Sequence, residues 1–217
     1  MAEVTLFAGP STCGLDRATL LQDGVRLCPP VRRGDVDRLV AGAATPGVVV
    51  ICDGVFQSVP AVSHAELCAA IDAGWQVWGV SSIGAIRAHE LRDEGMQGFG
   101  YVHEQLSRHA DFTDDEMCLL HFPEDPWFPL TEALVNLRYA LEAGPGDAGQ
   151  RAQAGARAIA TLAGHWFGDR TSQAMQAALV EAGMPAADAG ALLAWTAANR
   201  IKSIDLQGLM QARPWRR

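Results

Sequence analysis

Two short segments carry residue types suited to nucleophilic chemistry. Val80-Ser81-Ser82-Ile83-Gly84-Ala85 follows one expected strand, and Cys52-Asp53-Gly54-Val55-Phe56 follows another. A serine on a tight strand-to-helix turn is pushed out of its sheet and lies at the positive end of the next helix. The N–H groups after it are free to hold an oxyanion. Gly84 lets the backbone approach a substrate closely. The alternative is that Ser81 or Ser82 only caps the helix, a common serine role. A short likeness to the segment around the nucleophile of Clp-type serine peptidases favours Ser82. The Ile83 N–H and an N–H of Gly54 or Val55 would then be the oxyanion donors. Cys52 is the rival nucleophile, although a cysteine ending an apolar strand is usually a small buried hydrophobe.

Such a serine needs a base. Of the six histidines, only His64 and His89 fall on expected helices near the strand ends, and no spacing singles out a Ser–His–Asp set. The lysine usage says more. Of 17 basic residues 16 are arginine, and Lys202 alone is lysine. Arginine keeps its proton in proteins, whereas a buried lysine can be driven neutral and serve as a base. The competing reading is a surface lysine with no role. Arg87 and Glu90, one helical turn apart, can pair with each other. Asp114-Asp115-Glu116 could hold a cation, but an acidic helix start is the favoured reading. HExxH, P-loop and GxGxxG patterns are missing, and no metal or cofactor is called for.

The elements that must position these residues alternate. Strands are expected at 4–8, 25–28, 48–52 and 76–80, with helices at 16–21, 35–43, 63–73 and 83–92. Ser63 with Glu66 three residues later is a capping-box pattern. The apolar, β-branched run 48–52 marks a buried parallel strand. Ligands on such sheets bind beyond the carboxyl ends of the strands. From residue 113 the pattern turns helical, at 130–143, 149–166, 171–182 and 186–198, with Gly144-Pro145-Gly146 as a candidate flexible joint. The expectation is an α/β fold with an N-terminal parallel twisted sheet and flanking helices, followed by a helical C-terminal half packed on it. Residues 1–112 would carry the nucleophile turn and 113–217 would carry Lys202.

Composition narrows the partners. The charge balance of 17 − 25 = −8 and a pI near 5.2 disfavour nucleic acid and anionic membranes. The three arginines in 213–217 read as a solvated tail. Residues 1–7 read as a short apolar strand rather than a signal peptide, and the longest apolar run is too short to span a bilayer. Five scattered cysteines without a CxxC pair fit a reducing cytoplasm.

Several motifs in order resemble the TfuA family. They are Asp53-Gly54-Val55-Phe56-Gln57-Ser58-Val59-Pro60, then Ser81-Ser82-Ile83-Gly84-Ala85-Ile86-Arg87-Ala88-His89-Glu90-Leu91, then Gly95-Met96-Gln97-Gly98-Phe99-Gly100. Asp114-Asp115-Glu116, Pro129-Leu130-Thr131-Glu132-Ala133-Leu134 and a terminal Lys202-Ser203-Ile204-Asp205 continue the series. The resemblance implies a helper in peptide-backbone thioamidation. Its partners would be a YcaO-type enzyme, a ThiS-like sulfur carrier protein and a precursor peptide. It further implies a serine–lysine hydrolase that releases sulfide from the carrier's thiocarboxylate. Carried over by motif, the serine is Ser82, with Ser81 second, and the lysine is Lys202. Asp53 and Arg87 would belong to the substrate-binding surroundings, and Arg87 or Arg200 could lower the lysine's pKa. Ser203 departs from the arginine usual after that lysine. A non-catalytic docking module and a sulfur relay through Cys52 are the competing readings.

Overall fold

The computed structural model describes residues 3–21, 24–55, 59–109 and 112–216. Positions 56–58 of the leading motif therefore lie outside the described residues. Five short strands, β1 (Val4–Phe7), β2 (Val25–Cys28), β3 (Val48–Ile51), β4 (Gln76–Val80) and β5 (Gln97–Phe99), form one parallel sheet in the order β2-β1-β3-β4-β5. The order reverses between β1 and β3. That reversal opens a crevice at the carboxyl ends of the strands. Strand β3 is buried along its whole length, as its unbroken valine-isoleucine run requires.

Packing divides the chain into two compact units, Met1–Phe112 with Lys202–Arg217, and Thr113–Ile201. In the first, helices α1 (Arg17–Leu20), α2 (Asp35–Gly42), α3 (His64–Asp72) and α4 (Ile83–Glu90) connect the strands, and α5 (Gly100–Arg108) follows β5. The Ser63–Glu66 capping box of α3 is formed in both directions. In the second, α6 (Leu134–Ala143), α7 (Ala148–Ala163), α8 (Ser172–Glu181) and α9 (Ala186–Ala198) share one apolar core around Leu137, Leu162, Met175, Leu179 and Leu192.

The last helix, α10 (Ile201–Ala212), corrects the expected layout. From Lys202 onward it belongs to the sheet unit, so Lys202 is not part of the helical half. The reason is hydrophobic. Leu206, Leu209 and Met210 are fully buried in a cluster with Val4, Leu6, Val48, Val50 and Val80 of the sheet, closed by Trp215 against Trp78. Three other features went unread in the sequence. Strand β5 is three residues with a central glycine, and α5 follows it directly. Helix α6 starts at Leu134 rather than 130, because the residues before it pair as a short ribbon. The expected joint at Gly144-Pro145-Gly146 is tied by Arg151, whose guanidinium donates to the carbonyls of Leu141, Pro145 and Gly146.

Helix α4 starts closely pressed on the sheet. A Cβ on Gly84 would lie 1.8 Å from the Ile51 carbonyl oxygen, and one on Gly79 would lie 2.0 Å from that of Gly84. Neither backbone can move without moving the serine turn. Gly84→Ala should therefore destabilise the protein by about 3 kcal/mol or more, a Tm loss of roughly 6–12 °C. Gly42→Ala, whose Cβ meets nothing within 4 Å, should leave Tm nearly unchanged in the same calorimetric comparison.

Candidate active site

Strand β4 ends in a three-residue turn closed by the Ser82 N–H donating to the Val80 carbonyl at 2.8 Å. Ser81 at its centre takes φ +65, a left-handed conformation that costs a non-glycine residue roughly 1–3 kcal/mol. The turn aims the two hydroxyls differently. Ser81 is fully buried, and its Oγ donates to the Lys202 carbonyl at 2.6 Å. Ser82, itself only 5% exposed, stands at the N-cap of α4 but makes no side-chain capping bond. The capping role expected of an ordinary serine there is thus unfilled.

A second tie holds α10 one turn further on. The Asp205 carboxylate accepts the N–H groups of Tyr101 and Val102 at 3.0 and 2.9 Å. Gly100, with φ +91, is obligatory beside it, since a Cβ there would come within 2.4 Å of the Asp205 carboxyl carbon. The helix is thereby pinned at Lys202 itself and one turn on at Asp205, and Lys202 is only 3% exposed. The lone lysine is a buried one, not a surface remnant.

The other strand end meets this turn. Gly54 sits so close to Ile83 that a Cβ on it would lie 2.7 Å from the Ile83 side chain. The two segments singled out in the sequence are thus neighbours. Val55 donates its N–H to the Val31 carbonyl at 3.0 Å, which removes it from the oxyanion donors and leaves Gly54 and Ile83. Asp53 is buried and committed elsewhere. It accepts from the N–H groups of Gly9 and Ser11, each at 2.9 Å, and from the Ser11 hydroxyl at 2.8 Å. It locks the loop after β1 to the end of β3, which is a structural duty. Sequence reasoning missed Ser11, whose Gly9-Pro10-Ser11 setting reads only as a turn.

Cys52 is completely buried, and burial pushes its thiol well above the usual range, with the Asp53 charge adding to the effect. Hydrogen bonds from Ser11 and Ser81 and the charge of Lys202 act the other way, which sets that lysine within electrostatic reach of the β3 end. A thiol so protonated and enclosed is a poor sulfur carrier. Arg87 pairs with Glu90 at 2.5 Å and donates to the Val62 carbonyl at 3.1 Å. His64 also binds Glu90, at 2.7 Å, while His89 contacts Ser107 at 3.3 Å and stacks edge-on against His103. The acidic run of the second unit is spent internally, with Asp115 on Arg170 and Glu116 on Arg138. Among the described residues no group of three or more His, Cys, Asp or Glu side chains could hold a metal ion.

The serine turn thus holds the backbone of the buried Lys202 through Ser81, and Ser82 and the N–H groups of Gly54 and Ile83 lie at the same strand ends. A family model described as TfuA-like protein matches residues 53–171, more than half of the chain. The chain belongs to the TfuA-like family. The match includes Asp53, Gly54, Ser81, Ser82, Ile83 and Arg87, whereas Lys202 and Asp205 lie beyond it. No curated protein matches the chain. TfuA-like proteins are associated with thioamidation and with YcaO-type enzymes. Among the described residues, no helix of this TfuA-like chain is long and apolar enough to cross a membrane.

Asp205 gives the site a pH dependence. Burial raises its carboxyl from 3.8 to about 7, against the two N–H bonds that lower it and with Glu104 adding to the rise. An acid raised in the folded state binds its proton more tightly there than in the unfolded chain. Its stability contribution, up to about 4 kcal/mol, is therefore present below about pH 4 and lost as pH rises to about 7. Wild type should lose several degrees of Tm between about pH 5 and about pH 8. Asp205→Asn, which cannot titrate, should lack that loss; equal losses in both proteins would remove Asp205 as the cause.

Proposed function

We propose that this TfuA-like protein hydrolyses the C-terminal thiocarboxylate of a ThiS-like sulfur carrier, releasing sulfide for a YcaO-type enzyme that thioamidates a precursor peptide. The observation that carries this reading is the 2.6 Å bond from Ser81 to the Lys202 carbonyl. It brings the chain's one lysine to the serine turn while leaving the Ser82 hydroxyl uncapped. In this reading Ser81 positions and Ser82 reacts.

Lys202 in its neutral form takes the Ser82 hydroxyl proton as Oγ attacks the thiocarboxyl carbon. The N–H groups of Gly54 and Ile83 hold the oxygen that becomes negative. When the C–S bond breaks, the lysine's proton leaves with sulfur as hydrosulfide, and the carrier remains esterified to Ser82. Water then attacks the ester. Lys202 accepts a proton from that water and returns it to the departing Ser82 oxygen, giving the original enzyme and the carrier's carboxylic acid, which loses its proton to solvent as the carboxylate. No cofactor enters the balance.

Sulfide release from a thiocarboxylated ThiS-like carrier tests this directly. Ser82→Ala and Lys202→Met should each lower kcat by about a thousandfold or more. Ser81→Ala should lower Tm yet keep most of kcat. Full turnover in Ser82→Ala or Lys202→Met would refute the mechanism. Absence of turnover in the wild type, with intact binding to the YcaO-type enzyme, would make the protein a docking module.

A further inference from the structure

The second unit carries an apolar ribbon that its own core does not use. His121 and Pro129 face each other across two antiparallel segments. On either side, the Phe122 N–H donates to the Phe128 carbonyl at 2.9 Å, and the Leu130 N–H to the Leu120 carbonyl at 2.8 Å. Side chains alternate across such a pairing. Leu120, Phe122, Phe128 and Leu130 therefore share one face, while His121 and Trp127 stack on the other with ring centroids 5.5 Å apart. Phe122, Phe128 and Leu130 are 53%, 59% and 52% exposed. Three large apolar side chains side by side in water, on one short ribbon, are unusual for a surface that meets only solvent. Leu130 also stands at the rim of a cavity of about 100 Å³, lined with Met175, Leu193, Thr196 and Arg200, that can receive one aliphatic side chain.

The tip is fixed. Trp127 holds φ +57 and donates its N–H to the Glu124 carbonyl at 2.7 Å, so the ribbon's form is set before anything binds. The charge on it is of one sign. Glu124 and Asp125 at the tip are exposed, and from Cys118 to Leu137 the sequence has no Lys or Arg. A second copy of this chain, with a net charge of −8 and the same acidic tip, would be repelled. An anionic bilayer would be repelled as well. A protein surface with an apolar slot rimmed by lysine or arginine satisfies both the aromatic face and the acidic tip.

We propose that the Phe122–Phe128–Leu130 face is the docking surface for a separate protein whose contact is an apolar slot flanked by basic side chains. The YcaO-type enzyme is the probe, a choice that rests on the proposed function, and calorimetric titration is the readout. Phe122→Ser with Phe128→Ser should weaken binding roughly tenfold or more. Glu124→Lys with Asp125→Lys should weaken it and flatten its salt dependence. Both double variants should keep wild-type Tm and wild-type sulfide release, because all four side chains are exposed and none of them belongs to the serine turn. Binding unchanged in the phenylalanine variant, or no binding by the wild type, would overturn the docking surface. So would a wild-type dimer that dissociates in that variant, or wild-type capture by vesicles of phosphatidylcholine and phosphatidylserine. Sulfide release stands apart from all of these, so the hydrolase reading falls only if that assay fails.

Discussion

The buried hydrogen bond between the Ser81 hydroxyl and the Lys202 carbonyl joins parts of the chain 121 residues apart, and the site is arranged around it. A single neutral bond of this kind contributes only about 1 kcal/mol net. It cannot by itself hold the last helix to the sheet. Burial of Leu206, Leu209 and Met210 against the strands does that, at roughly 1.5–3 kcal/mol for each side chain. The division of labour follows from these magnitudes. Apolar burial supplies the adhesion, while the Ser81 bond and the Asp205 bonds to Tyr101 and Val102 fix the register and rotation at which Lys202 arrives.

That arrangement explains two features that would otherwise be costs. Ser81 is strained at φ +65, yet the strain turns one serine inward to the helix and leaves the next at the mouth of α4 without a capping partner. Asp205 is a carboxylate with only 6% exposure, which is unfavourable in isolation. Its two N–H partners at the start of α5 offset part of that, and Gly100 supplies the room. The glycines at 79 and 84 serve the same end from the other side, letting α4 press on β3 and β4 until Gly54 and Ile83 meet.

Much of this was legible in the sequence, and what was not has physical reasons. The bounds of β2 and β4, the capping box of α3 and the parallel order come from strong local signals: β-branched runs, turn glycines, and a serine three residues before a glutamate. The peculiarity of Lys202 was visible as a lone lysine among arginines. Its place with the sheet was not, because α10 packs through contacts more than a hundred residues distant and its apolar pattern is too even to show a face. Strand β5 escaped because a three-residue strand with a central glycine has no period to read. The ribbon at 120–130 escaped because its apolar residues continue into α6 and pass for a helix start. The Arg87–Glu90 pair was legible from its one-turn spacing, whereas the use of Asp53 by the loop after β1 was not, because its partners Gly9 and Ser11 lie more than forty residues away.

The central claim is that Ser82, not Ser81, forms the bond to the carrier. Mixing the protein with thiocarboxylated carrier, quenching in acid and mapping the joined peptides by mass spectrometry reads that bond itself. The account requires an ester between the carrier's C-terminal carbonyl and Ser82, formed by the wild type and absent in Lys202→Met. An ester on Ser81, a thioester on Cys52, or sulfide released with no covalent species at any time of quench would contradict it.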